Sequence, residues 1–87
     1  MNEMYIVSFN STNHAMRLVK LLIENSVKAI TLPTPREITA SCGISIRFLY
    51  EDIESVKNIL TQNNIECKGI YKITRLENGT KEVENIG

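Results

Sequence analysis

The 87-residue sequence predicts a single α+β domain with two helices and four strands. Short β-branched and aromatic runs alternate with segments whose apolar residues recur every three or four positions. A chain of this length has room for one modest hydrophobic core. Its hydrophobic content of 43% is typical of a globular domain and too high for a disordered chain.

The first half of the chain predicts a strand, a helix and a second strand. Residues 4–9 are β-branched and aromatic, and residues 10–13 offer side chains that cap helices. A helix is predicted over residues 12–24, followed by a strand over 27–32. Pro33 is expected to stop further pairing, because proline has no N–H to donate. The apolar stripe of the helix is Ala15, Leu18, Val19, Leu22 and Ile23.

The second half repeats this order. Residues 43–50 alternate as a strand does, and the acidic pair Glu51 and Asp52 begins the next helix, where the helix dipole favours negative charge. A left-handed turn at residues 63–64 is expected to end that helix before a fourth strand over 65–74. The apolar stripe of the second helix is Ile53, Val56, Ile59 and Leu60.

The element order βαββαβ predicts a ferredoxin-like sandwich, with both helices on one face of a four-stranded antiparallel sheet in the order 4-1-3-2. The domain is expected to span residues 4–74. Residues 75–87 form a polar tail that either frays or adds a short strand through Val83 and Ile86. This topology brings several segments together at one end of the sheet. They are the end of strand one, the start of helix one, the loop 33–42 and the starts of strands three and four.

Composition excludes several classes of function. Ten basic and ten acidic residues give no net charge, which argues against nucleic-acid binding and a polybasic membrane anchor. No apolar run approaches the ~20 residues of a membrane span, and the N-terminus lacks a signal core, so a soluble cytoplasmic protein is expected. Two cysteines and one histidine are too few for a structural zinc site, and no cofactor-binding motif is present.

The loop over residues 33–42 is the most unusual feature, because antiparallel neighbours are usually joined by about two to five residues. Cys42 ends this loop and Gly43 follows, where glycine would permit close approach and a positive φ. The start of the first helix, Arg36 and Arg47 would each favour the thiolate of Cys42. We therefore expect an exposed, reactive thiol, although a small buried cysteine is about as frequent an outcome.

Two further residues are weaker candidates. His14 in the first helical turn is either a neutral hydrogen-bond partner of Cys42 or an ordinary surface histidine. Cys67 begins strand four, and strand one separates it from Cys42 by two strand spacings, roughly 10 Å. A disulfide needs Cα atoms within ~7 Å, so an inert Cys67 is favoured over a resolving thiol.

Three segments resemble the small bacterial family of selenium/sulfur (Se/S) carrier-like proteins. They are residues 9–15, 32–38 and 41–48, and the resemblance extends over about residues 4–73. It implies a carrier that holds sulfur or selenium on Cys42, receives it from a cysteine desulfurase or a selenium donor, and passes it to an acceptor enzyme. The residues expected to support the bound atom are Arg36, Ser11, Thr12, His14, Ser41 and Gly43.

Two other functions remain open on the sequence. One is a non-catalytic module that binds a small ligand or another protein, with Arg36 taking an anion bidentately. The other is a thiol-redox protein that uses both Cys42 and Cys67. A homodimer is compatible with each of these functions.

Overall fold

A computed structural model describes residues 2–38 and 42–87. All neighbouring strands pair antiparallel in one sheet, in the order β2-β3-β1-β4-β5. The first four strands therefore have the predicted order. The elements are β1 (Asn2–Ser8), α1 (Thr12–Glu24), β2 (Ala29–Pro33), β3 (Ile44–Phe48), a 3-10 turn (Tyr50–Asp52), α2 (Ile53–Gln62), β4 (Gly69–Arg75) and β5 (Lys81–Asn85).

The prediction of four strands is wrong, because β5 forms a fifth strand within residues 75–87. It pairs with β4 in a hairpin in which Ile73 lies opposite Val83. Gly79 adopts a φ of 87° in the turn, a conformation that glycine adopts readily. Only Val83 of β5 is apolar, and charged residues surround it on both sides. An edge strand of this composition shows no alternation of apolar and polar residues, so its pattern is indistinguishable from that of a tail.

The main core lies between the two helices and one face of the sheet. Fully buried residues of α1 and α2 pack there on Val7 of β1 and Ile46 of β3, which are paired across the sheet. Both helices therefore cover the same face, as predicted. The helix side chains in this core are Ala15, Leu18, Val19, Leu22, Val56, Ile59 and Leu60.

A smaller core lies on the opposite, helix-free face of the sheet. Ile6 of β1 and Ile73 of β4 point to this face and are almost completely buried there. Ile38, from the segment between β2 and β3, packs on them and is itself only 6% exposed. Ile38 thus covers part of the helix-free face of the sheet.

Helix α1 has the predicted bounds, and Asn64 takes the predicted left-handed conformation with a φ of 53°. The expectation that Pro33 stops pairing is wrong, because Pro33 lies opposite Ile44 and the ladder continues with a bond from the Thr34 N–H to the Gly43 carbonyl (3.0 Å). Along an edge strand of an antiparallel sheet, successive residues direct their N–H groups alternately toward the neighbouring strand and away from it. Pro33 occupies an outward position, where its missing donor removes no bond to β3.

Within residues 2–38 and 42–87, no helix has the length and apolar character required to cross a membrane.

Candidate functional site

The predicted meeting of elements at one end of the sheet is confirmed by backbone hydrogen bonds around the end of β1. The Cys42 N–H donates to the carbonyl of Phe9 (3.2 Å), on the side of β3. On the other side, the Lys68 N–H donates to the carbonyl of Ser8 (2.6 Å). The end of β1 therefore separates the Cys42 segment from the segment that carries Cys67, as the topology predicts.

The Cys42 sulfur lies at the beginning of α1. Its Sγ is 3.5 Å from the Thr12 hydroxyl oxygen and donates a hydrogen bond to the Ile44 carbonyl (3.3 Å). Because the sulfur proton points to Ile44, the Thr12 hydroxyl is the donor in the other contact. The sulfur thus already receives a hydrogen bond from the first residue of the helix, where the dipole also favours negative charge.

The predicted exposure of this thiol is wrong. Cys42 is only 3% exposed and belongs to the main core. The bond to the Ile44 carbonyl needs the sulfur proton. A thiolate would lose that bond and face a carbonyl oxygen at the same distance. Reaction at Cys42 therefore requires the surrounding chain to move, both to admit a reagent and to remove the Ile44 carbonyl from the sulfur.

A short chain of hydroxyl groups fixes the backbone on either side of Cys42. The Thr34 hydroxyl donates to the Cys42 carbonyl (3.1 Å) and lies 2.8 Å from the hydroxyl of Ser45. Ser45 in turn lies 3.1 Å from Ser8, and both serines are fully buried. Since each hydroxyl has a partner, burial leaves none of them unsatisfied, and the chain anchors Cys42 to three strands.

Sequence reasoning missed these hydroxyl residues. Their signal is the register, because Ser8 and Ser45 lie opposite each other where β1 meets β3. Two small polar side chains that face each other across paired strands, between buried apolar neighbours, indicate a specific buried hydrogen bond rather than a solvated surface.

Of the other predicted site residues that the structure describes, Thr12 is the one with a hydrogen bond to the Cys42 sulfur. Ser11 is the N-cap residue of α1, but its side chain makes no capping bond within the described residues. His14 is half-buried in the same turn, and Thr12 makes the sulfur contact described above. Arg36 is exposed and forms no ion pair within the part of the chain that the structure describes. Ser41 lies outside the described residues.

Gly43 does not need to be glycine in this arrangement. Gly43 does not use the positive φ that glycine permits, since Gly79 is the glycine with a positive φ among residues 2–38 and 42–87. A methyl group at Gly43 would also meet no atom within 4 Å. Gly43 is exposed, so open space lies next to the buried Cys42.

Cys67 is half-buried in the connection that precedes β4. Burial raises the pKa of its thiol, and a hydrogen bond from the Gly69 backbone lowers that pKa by less. Both cysteines are free thiols. Within the described residues, no cluster of histidine, cysteine and carboxylate side chains could hold a metal ion.

We expect the alkylation of Cys67 to be slow at neutral pH and to reach its maximum at a higher pH than an ordinary thiol. The raised pKa keeps the reactive thiolate scarce until the solution is alkaline. The rate of iodoacetamide labelling across neutral and alkaline pH in Cys42→Ser tests this, with free cysteine as the reference. A midpoint at or below that of free cysteine would contradict the proposed effect of burial.

Comparison with known proteins places the chain in a family. A family model described as "Putative Se/S carrier protein-like" matches residues 4–72, which include every element from α1 to α2 and most of β1 and β4. No curated protein and no solved structure matches the chain.

Proposed function

The chain belongs to the Putative Se/S carrier protein-like family, and we propose that it carries sulfur or selenium on Cys42 and transfers that atom to an acceptor protein. The observation on which this proposal depends is the position of Cys42 Sγ, 3.5 Å from the Thr12 hydroxyl at the first residue of α1. The first helical turn contains no acidic residue that would compete with an anion. A cysteine with a bound chalcogen atom ends in an anion, and a helix N-terminus stabilises an anion.

Loading is a simple exchange. The Cys42 thiolate attacks the terminal sulfur of a donor persulfide, the new S–S bond forms, and the donor leaves as a thiolate. Cys42 then holds a persulfide, and the donor cysteine has regained the electron pair of the broken bond. An acceptor thiolate attacks the same terminal sulfur in the second step, and Cys42 leaves as a thiolate. The same two steps transfer selenium when the donor carries it in that terminal position.

The first helical turn supplies the groups that would hold the terminal atom. Its N–H groups, near Ser11 and Thr12, are not capped by the Ser11 side chain within the described residues. His14 follows in the same turn and is half-buried. Arg36 contributes positive charge from the exposed part of the connecting segment, and Ser41 and Gly43 flank the sulfur in the chain.

Burial of Cys42 fits a carrier better than a free-standing enzyme. A persulfide is lost to any soluble thiol that reaches it, and a sulfur that is 3% exposed is protected from such reagents. The same burial makes loading depend on a donor that displaces the segment beside Gly43. The proposed partners are therefore proteins: a cysteine desulfurase or a selenium-donor protein, and an acceptor enzyme, all in the cytoplasm.

The experiment is a loading assay on the purified chain. We expect incubation with a cysteine desulfurase and cysteine to raise the intact mass by one sulfur atom, and a reductant to remove it as sulfide. A parallel incubation with a donor protein that already carries selenium as the terminal atom of a cysteine selenylsulfide distinguishes selenium from sulfur by the mass that is gained. A chain that gains neither atom from either donor would contradict the proposal.

A further inference from the structure

The two edges of the sheet have opposite character. β5 forms one edge and carries Lys81, Glu82 and Glu84, all exposed, which discourage pairing with another strand. β2 forms the other edge, has the sequence Ala-Ile-Thr-Leu-Pro, and carries no charge. Its Ile30 side chain is 56% exposed. An uncharged, apolar edge strand is a site for pairing with another chain.

The backbone of β2 defines what can pair with it. Because the Thr34 N–H bonds to β3, alternation directs the N–H groups of Ile30 and Leu32 to β3 as well. Ala29, Thr31 and Pro33 then direct their backbone groups outward. The outer row therefore offers two donors, from Ala29 and Thr31, and three carbonyl acceptors.

This outer row is complementary to itself. When β2 meets a second copy of β2 antiparallel about Thr31, the two Thr31 residues exchange N–H···O bonds. Each Ala29 N–H then reaches the carbonyl of Pro33 in the other copy. Every outward N–H group is then paired. The Ala29 carbonyl of each copy stays unpaired, because it faces Pro33 of the other copy, which has no N–H. Ile30 of each copy lies beside Leu32 of the other in the closely spaced position of the ladder, so the side-chain pairs are apolar.

Helix α1 adds apolar surface beside β2, on the face of the sheet opposite to Ile30 and Leu32. Leu21, on one flank of the buried stripe of α1, packs against the main core. Met16 and Ile23 lie on the other flank, seven residues apart, and are 49% and 62% exposed. Since α1 contacts α2 and β2, the covered flank faces α2 and the exposed flank lies above the β2 edge. A stable dimer buries roughly 600 Å² or more per partner, and a five-residue strand alone buries too little surface for that. The exposed flank of α1 increases the area that the dimer would bury.

We propose that the protein forms a symmetric homodimer in which the β2 strands of two copies join into one continuous ten-stranded sheet, with the exposed flanks of α1 in contact above it. In this register Lys28 of one copy lies opposite Thr34 of the other, so the two Lys28 side chains do not meet, and the exposed charge on the α1 flank is Lys20, between Met16 and Ile23. Cys42 is in neither contact. The dimer therefore leaves its segment open to donor and acceptor proteins.

Thr31→Pro is the sharpest test, because its outward N–H takes no part in the pairing of β2 with β3. We expect sedimentation equilibrium in the micromolar range to give the mass of two chains for the wild type and of one chain for Thr31→Pro. The matched control, Lys81→Pro, alters an outward position of the opposite edge and should keep the mass of two chains. Far-ultraviolet circular dichroism should be the same in all three.

A second variant keeps the test decisive if Thr31→Pro fails to fold. The double substitution Met16→Lys and Ile23→Lys changes only exposed side chains, and it should likewise reduce the mass to that of one chain. A wild type that sediments as one chain, or a folded Thr31→Pro that still sediments as two, would overturn the proposal. A wild type that sediments as one chain would mean that the β2 edge pairs with an extended segment of another protein instead of a second copy. A folded Thr31→Pro that sediments as two chains would mean that the dimer contact lies elsewhere on the surface.

Discussion

Cys42→Ser is expected to abolish the gain of sulfur or selenium, whereas Cys67→Ser is expected to retain it. A serine hydroxyl cannot form the S–S bond that holds the transferred atom, so loading should fall to background rather than decline in part. The substitution changes little else, because serine is close in size to cysteine and its hydroxyl can keep the contacts to Thr12 and Ile44. Intact-mass spectrometry after incubation with a cysteine desulfurase and cysteine measures the difference.

Cys67→Ser is the matched control, since it removes the other thiol from a half-buried position beyond β1. Loading of Cys67→Ser at the wild-type level would also exclude a redox cycle that uses both cysteines. If Cys42→Ser gained as much sulfur as the wild type, the atom would reside on Cys67. The site proposed here would then be wrong, even though the family function could still hold.

Ile38→Ala is expected to increase the alkylation rate of Cys42 in the native protein by roughly tenfold to a thousandfold. Ile38 packs on Ile6 and Ile73 on the helix-free face and lies four residues before Cys42 in the sequence, so we expect its truncation to loosen the chain on the approach to Cys42. Isoleucine-to-alanine substitutions in a core cost about 2–5 kcal/mol. Every ~1.4 kcal/mol lost from the closed arrangement raises the population of the open one about tenfold. The rate of iodoacetamide labelling of Cys42 measures the change.

Ile59→Ala separates local opening from global unfolding. Ile59 is 8% exposed on α2, so the same side-chain truncation weakens the main core from the helix side and leaves residues 34–38 unchanged. We expect the two variants to lose similar free energy of unfolding in urea, while only Ile38→Ala labels much faster. Equal labelling rates in the two variants would mean that Cys42 becomes accessible only when the whole domain unfolds.

The elements of the fold that could be predicted are those whose signal lies within a continuous stretch of the chain. The bounds of α1 could be predicted from its apolar stripe, and the left-handed turn after α2 could be predicted from Asn64, because both features depend on local geometry. The strand order followed from the handedness of the two βαβ crossovers. By contrast, β5 is stabilised by pairing with β4, and its own residues have too few apolar members to show it.

The position of the candidate site was predictable, but its environment was not. Topology alone placed Cys42 beside the start of α1, and the Thr12 contact confirms that placement. Cys42 is buried in the main core, its carbonyl accepts a hydrogen bond from Thr34, which lies beside Ser45, and Ile38 packs on the opposite face of the sheet. These contacts join residues from different strands. The spacing of residues along the sequence therefore does not predict these contacts.

The central claim is that the Cys42 sulfur holds the transferred atom, and peptide mapping of the loaded wild type tests it most directly. Trypsin cleaves after lysine and arginine, so residues 37–47 contain Cys42 and residues 58–68 contain Cys67, one cysteine in each peptide. After brief loading and alkylation of the persulfide, we predict that the added sulfur or selenium atom is found on the peptide of residues 37–47. Its presence on residues 58–68 alone, with an unmodified Cys42, would contradict the claim.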